Sequence, residues 1–405
     1  MQYGTMSGMP AKTLRLGAIG LGRAAATMLP SLIAHPNVRL TAAADPNPDA
    51  RARFEADFGG RTYASAQELC ASPDVDAVYI ATPHQFHASD VLTAAAHGKH
   101  AIVEKPMALT LEECRAMTDA AERNGIVLVV GHSHGFDPSI VLIREMVRRG
   151  DVGALRMIVN LTYTDFLYRP RRPEELDTAQ GGGIMYNQVP HQLDIVRTID
   201  GGPLRSVYAH AGIWDRARPT EGALTAMLEF EDGVAASIAY SGYDRFDTDE
   251  FHAWVDEGGE PKTPAYGRRR RANRAYASAE DEARGRAARG FAGSGIARPG
   301  AAQHHPHFGL VIVSCEAADL RPSPDGVLVY DDDGVHEVLA PRARAYPNKD
   351  GVIDELYAAV TGGEAPLHDG RWGTATMAAV LALLQSARER RVIMLNDEVS
   401  THALR

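Results

Sequence analysis

The sequence predicts an α/β chain in two parts. A parallel sheet wrapped by helices comes first, and a larger α+β part built on a half-exposed sheet follows. Three observations predict it. Strand-like and helix-like segments alternate with short connections from Leu14 to Val130, as parallel strands joined by crossover helices require. A glycine-rich stretch, Gly20-Leu21-Gly22-Arg23-Ala24-Ala25, stands at the first strand-to-helix junction. Beyond residue 150 the apolar pattern changes to alternation, which suits strands with one face on a core.

Leu14 to Ile19 reads as the first strand, followed by the glycine turn and an apolar helix to about Ala34. Val38 to Ala44 is the second strand, ending at Asp45-Pro46-Asn47, with a charged helix from Pro48 through Phe58. Ala77 to Ala81 is a strand closing on Thr82-Pro83, and Ser89 to His97 is helical. Ala101 to Val103, Leu111 to Asn124 and Ile126 to Val130 read as strand, helix and strand. In the second part, Met157 to Tyr163, Val207 to Ile213, Thr225 to Phe230 and Ala235 to Tyr240 alternate apolar and polar residues.

At 405 residues the chain exceeds the size at which a single core stops growing, so two domains are expected. Residues 1–12 read as a flexible arm, 13–135 as a dinucleotide-binding domain and 136–405 as a substrate-binding and oligomerisation domain. Helices from residue 370 on are expected to pack back toward the first domain. A stretch at 257–303 is rich in Ala, Arg, Gly and Glu and lacks a buried strand pattern. It reads as an insertion, partly helical from Asn273 to Arg289 and otherwise flexible. Its basic run, Arg268 to Arg271 with Arg274, has acidic residues close behind, so a subunit contact or lid edge suits it better than nucleic acid.

Hydrophobic residues make up 45% and charged residues 23%, and the net charge is -10. That acidic balance argues against nucleic acid as a partner. No apolar run reaches the roughly 18 residues of a membrane span. Cys70, Cys114 and Cys315 are far apart, which fits reduced thiols in a cytoplasmic protein, and no ligand spacing calls for a metal.

The glycines predict a cofactor. Gly20 permits a tight turn, Gly22 lets the backbone approach a pyrophosphate, and Ala25 allows close helix–sheet packing. The helix that starts here aims its unpaired amides at the phosphates. Asp45, ending the second strand, suits the adenosine ribose hydroxyls, or else simply forms the turn. Pro46 follows it rather than an arginine, which favours NAD over NADP. Glu104-Lys105-Pro106 closes the Ala101–Val103 strand. A lysine there lies in the crevice where open α/β sheets bind ligands, or is a solvated strand end.

Together with Ala81-Thr82-Pro83 and His87, Gly98-Lys99-His100, Gly181-Gly182-Gly183 and His191, and Asp369-Gly370-Arg371-Trp372, these segments resemble the Gfo/Idh/MocA oxidoreductase family. The resemblance runs from residue 13 to beyond 390. It implies a Rossmann domain that binds NAD and a C-terminal α+β domain with a large, mostly antiparallel, open-faced sheet. It further implies a homo-oligomer, dimer or tetramer, through that sheet. By the same resemblance Gly20, Leu21, Gly22, Arg23, Ala24 and Asp45 hold the cofactor. Ala81, Thr82, Pro83, His84 and His87 pass beside the nicotinamide, and Glu104 and Lys105 flank the reacting carbon. His191 matches the catalytic histidine. Four residues before it the family has an aspartate, whereas this chain has Asn187.

Asn187 and His191 are an i, i+4 pair and share a face on a helix. An imidazole suits the abstraction of an alcohol proton at neutral pH, and Lys105 as a cation suits the oxygen left behind. Arg169, Arg171 and Arg172 precede this segment. They suggest an acidic substrate, and read equally as a solvated loop. His132, His134, Tyr163 and Tyr186 complete the candidate substrate contacts, with Asn187 orienting a hydroxyl. The stretches around His307-Phe308-Gly309 and Tyr186-Asn187-Gln188 resemble a branch named for phthalate 4,5-cis-dihydrodiol dehydrogenase. That branch implies NAD-dependent oxidation of the dihydrodiol of an aromatic carboxylate, a small anionic substrate. A sugar or inositol dehydrogenase, an NAD-recycling glycosidase and a non-catalytic NAD-sensing regulator are the alternatives.

Overall fold

The structure, a computed structural model, describes residues 12–295, 301–342 and 344–395. Apart from Lys12, the expected N-terminal arm lies outside the described residues. The first sheet has six strands: β1 (Leu14–Ile19), β2 (Val38–Ala44), β3 (Arg61–Tyr63), β4 (Ala77–Ile80), β5 (His100–Val103) and β6 (Leu128–Val130). They are parallel and run in the order β3-β2-β1-β4-β5-β6. The order reverses between β1 and β4, which opens a crevice at their carboxyl ends. Every residue of β4 and β6 is buried, because helices cover both faces and leave no polar side to the strand. β3 has no counterpart in the sequence reading. Three residues, Arg-Thr-Tyr on a sheet edge, are too short and polar to give a periodic signal.

The second sheet adds β7 (Leu155–Tyr163), β8 (Leu204–Gly212), β9 (Ala223–Phe230), β10 (Ala235–Ser241), β11 (Leu310–Cys315), β12 (Asp319–Pro322), β13 (Gly326–Asp331), β14 (Gly334–Leu339) and β15 (Ile393–Met394). The order is β14-β13-β12-β11-β7-β10-β9-β8-β15. Within this sheet, only β7 and β10 pair in parallel among the described strands; its other pairs are antiparallel. The fold is therefore a Rossmann sheet followed by a mostly antiparallel sheet. One face is packed by helices such as Val189–Asp200 and Gly370–Glu389. Along β9, Thr225, Met227 and Glu229 point outward between buried neighbours, which is the alternation expected of a half-covered sheet.

Helix Gly370–Glu389 lies between the two sheets. Asp369 caps it by accepting from the Trp372 amide at 2.8 Å. Arg371 pairs with Glu122 of helix Leu111–Asn124 at 2.7 Å, and Ser386 Oγ accepts from the Ala209 amide of β8 at 3.0 Å. Trp372 is buried, donates its indole N–H to Asp194 at 2.8 Å, and lies under the Arg197 guanidinium at 3.8 Å. Burying Asp194 is tolerable because the indole and the His368 imidazole face it.

The stretch read as partly helical and otherwise flexible is described except for 296–300, which lie outside the described residues. Within the range read as partly helical, Asn273 to Arg289, lies helix Ala279–Ala287, and two short helices, Arg268–Asn273 and Phe291–Ser294, flank it. Ser278 caps helix Ala279–Ala287, its Oγ accepting from the Asp281 amide at 3.2 Å. Phe291 is fully buried. Its ring stacks on Phe58 at 5.9 Å, and its amide donates to the Leu21 carbonyl at 3.3 Å. Apolar burial therefore anchors this stretch to the glycine turn of β1, which composition could not reveal.

Candidate active site

A cavity of about 1830 Å³ follows the carboxyl ends of β1, β2, β4 and β5 and runs on under the second sheet. Its floor is the glycine turn. Gly20 has φ +86°, and a Cβ there would lie 2.9 Å from the Ala81 and Thr82 backbone. Only glycine fits, on both counts. At Gly22 the nearest atom to such a Cβ is 4.0 Å away, so the cavity side stays open. Helix Arg23–Ala34 has neither a side-chain cap nor an acidic residue in its first turn, which leaves its amide end available to an anion. Asp45 braces this turn, accepting from the Leu21 amide at 2.7 Å and the Asn47 amide at 2.8 Å.

Beyond the turn, Thr82, His87 and the Lys105-Pro106 peptide, which is cis, form one knot. The His87 ring nitrogens face the Pro106 carbonyl at 2.8 Å and the Thr82 carbonyl at 3.0 Å. His87 is therefore a brace for the loop, with both nitrogens engaged by backbone. Thr82 Oγ1 donates to Asp90 at 2.7 Å, and Glu104 accepts from the Tyr79 hydroxyl at 2.8 Å. Lys105 Nζ crosses the cavity to the Asn187 backbone carbonyl at 2.7 Å. Burial lowers its pKa to about 8, opposed by Glu104 and aided by Lys349.

His191 stands in the first turn of helix Val189–Asp200, edge-on to His134 at 4.7 Å and beside Phe308 at 4.9 Å. Its Nδ1 has no hydrogen-bond partner. Burial, then Lys105, His134 and Lys349, hold its pKa well below the usual 6.5, so the ring is neutral and free to accept. His134 is the reverse case. Burial opposes its charge, but Asp137 at 2.8 Å and Glu257 at 3.6 Å outweigh that and raise it to about 9. The Asn187 side chain turns away, its amide donating to the carbonyls of Gly181 at 3.1 Å and Gly183 at 2.8 Å. It ties down the glycine entry to the helix, and it gives His191 no anion.

Comparison with known proteins places this geometry. A profile described as the oxidoreductase family with an NAD-binding Rossmann fold matches residues 14–132, and one for the GFO/IDH/MocA C-terminal domain matches 140–259. A Comamonas testosteroni protein, 1-carboxy-3-chloro-3,4-dihydroxycyclohexa-1,5-diene dehydrogenase, is 40% identical over 94% of this chain and 96% of its own. The chain belongs to the Gfo/Idh/MocA oxidoreductase family. A Bordetella bronchiseptica RB50 crystal structure, provisionally named a dehydrogenase, is 45% identical with a TM-score of 0.90, covering 95% of this chain and all of that one. Levoglucosan dehydrogenase, crystallised with NADH and levoglucosan, shares the fold at 19% identity and a TM-score of 0.72, covering 95% of this chain and 100% of that one.

As a member of this family the chain is an NAD-dependent oxidoreductase acting on a CH–OH donor, and its residues fit the cofactor. The glycine turn and the uncapped helix form an open cradle at the pyrophosphate position, with Asp45 at the end of β2. No helix among the described residues is long and apolar enough to cross a membrane. Nor do the described residues contain a cluster that could hold a metal ion.

Three residues expected to meet substrate do not line the cavity. Tyr186 is packed into the core. Tyr163 faces outward against Phe246, with ring centres 5.7 Å apart. His132 sits in the buried group around Asp194 and His368, where burial drops its pKa to about 4. Residue type and proximity in sequence suggested them, but their side chains pack away from the cavity. The three arginines do reach the wall, yet they face the protein's own acids. Arg169 holds Asp165 at 2.7 Å and Glu257 at 3.6 Å. Arg171 lies over Phe166 at 3.8 Å and near Glu175, and Arg172 pairs with Glu174 and Glu175. The sequence reading missed Glu257 and Lys349, both on the wall. Neither sits in a motif, and only the chain's return from distant segments brings them here.

Proposed function

We propose that the protein oxidises a cyclohexadiene cis-diol carrying a ring carboxylate, with NAD as cofactor. The observation that carries this is one cavity continuous from the glycine cradle to Lys105 and the neutral His191. The substrate class rests on the 40% identical relative, whose name specifies a carboxylated dihydroxy-cyclohexadiene. Bound NAD supplies the hydride acceptor.

The chain's own groups manage the oxygen and the proton. His191, neutral and on the cavity wall, takes the hydroxyl proton. Lys105, protonated below about pH 8, stabilises the oxygen as it gains alkoxide character. The carbinol loses its C–H electron pair as hydride and its O–H proton to the imidazole, which leaves a ketone. Enolisation of that ketone gives a catechol, and aromatisation draws the oxidation forward. With Asn187 in place of an acid, nothing props up the basicity of His191, so Lys105 must carry more of the charge stabilisation.

The phthalate-type dicarboxylate, its 4,5-cis-dihydrodiol, is the finer form of this proposal. The test is NADH formation from cis-dihydrodiols bearing one carboxylate, a carboxylate and chlorine, or two carboxylates, beside inositol and glucose. Turnover of the polyols with none of the diols would sink the reading.

A further inference from the structure

Arg169, Arg171, Arg172, Arg269 and Arg286 are committed to protein carboxylates, and the cavity wall also carries Lys349. Lys349 stands in the first turn of helix Pro347–Gly362. Its Nζ donates to the Ser133 hydroxyl at 3.1 Å, and among the described residues no carboxylate pairs with it. Its neighbour Asn348 donates to Asp137 at 3.0 Å, which fixes this turn against the loop bearing His134. The charge of Lys349 is felt at both Lys105 and His191. An ammonium placed beside another ammonium and a buried imidazole raises the energy of the empty site. An anion arriving with the substrate relieves it.

We propose that Lys349 binds the ring carboxylate of the substrate and sets the preference for acidic over neutral diols. The inference rests on the reading that the substrate is a carboxylated dihydrodiol. Glu257 and Asp165 are paired with His134, Arg169 and Arg269. Those side chains are thus committed to one another, whereas Lys349 faces the cavity with no carboxylate paired to it among the described residues. Lys349 touches substrate without taking part in proton or hydride movement.

The test uses full-length Lys349→Met and Lys349→Arg. Turnover is measured on a 3,4-cis-dihydrodiol of benzoate, its methyl ester and unsubstituted benzene cis-dihydrodiol. In parallel, benzoate and benzamide binding to the NAD-loaded protein is measured by calorimetry. Lys349→Met should raise KM for the acid about 10- to 100-fold, the range for a lost charged hydrogen bond. It should change KM for the ester and the neutral diol far less than KM for the acid, and it should weaken benzoate but not benzamide. Lys349→Arg should recover part of the loss. Equal losses on acid and ester, or benzoate binding unchanged in Lys349→Met, would overturn the assignment. If wild-type protein turns over no dihydrodiol at all, the substrate reading fails and this inference falls with it; an unchanged KM for the acid in Lys349→Met sinks the inference alone.

Discussion

Lys105→Met should abolish turnover and at the same time remove a pH dependence from the stability of the fold. Burial drops the lysine from its ordinary 10.5 to about 8, with Glu104 opposing and Lys349 and Arg171 adding to the fall. At 1.36 kcal/mol per pH unit, that drop is a penalty of about 3 kcal/mol on the charged form. Water in the open cavity screens part of it, leaving about 2 kcal/mol. The folded pKa lies below the unfolded one. Between about pH 8 and 10.5 the unfolded chain therefore binds the extra proton, and wild-type stability rises with pH. Below pH 8 the penalty is present in full. Methionine has no proton to bind, so the variant lacks this rise. It also loses the hydrogen bond to the Asn187 carbonyl, which offsets the absolute gain, so the diagnostic is the slope. Urea denaturation of both proteins at about pH 7.5 and about pH 10 should show wild type gaining about 2 kcal/mol on the variant. A difference that stays flat, or moves against wild type, refutes the burial argument. Wild-type kcat/KM should also fall above about pH 8 as the cation is lost; a profile that climbs through that pH would make Lys105 the base.

Gly20→Ala should cost about 2–4 kcal/mol, from a left-handed φ and overlap with the Ala81 backbone, and should weaken NAD binding. Gly59→Ala, left-handed but with open space around it, should cost only about 1 kcal/mol, and equal losses in thermal melts would discredit the close approach at Gly20. Asn187→Asp restores the acid usual in the family but sets a carboxylate against the Gly181 and Gly183 carbonyls. It should lose about 1–3 kcal/mol and lower kcat, whereas a stable, faster enzyme would contradict the observed amide orientation. Phe291→Ala should release the 268–295 segment without unfolding the sheets. A local loss of about 3 kcal/mol should speed tryptic cleavage within Arg268–Arg289 about 100-fold, and an unchanged rate would mean that the ring does not anchor the segment.

The residues that could be read from the sequence are those whose role is local. Gly20 and Gly22 announce a turn, Asp45 ends a strand, and Lys105 ends another, so strand–helix alternation was enough to bring them to one crevice. Asn187 and His191 were tied together by helical spacing, although only the folded chain reveals that the Asn187 amide serves the glycine entry and leaves His191 without an anion. Sequence could not decide which cations are free. Arg169, Arg171 and Arg172 looked available although Asp165, Glu174 and Glu175 lie close in sequence, and a further partner, Glu257, is far along the chain. Lys349 stands in no motif and gave no signal. Charge pairing depends on distances in space, and contacts spanning 80 to 220 residues set those distances here: Lys105 to Asn187, Arg169 to Glu257, Lys349 to Ser133. The sequence by itself determined the fold class, the cofactor cradle and the candidate pair Lys105 and His191. The tertiary structure decided which charges are cancelled and which are left for a substrate.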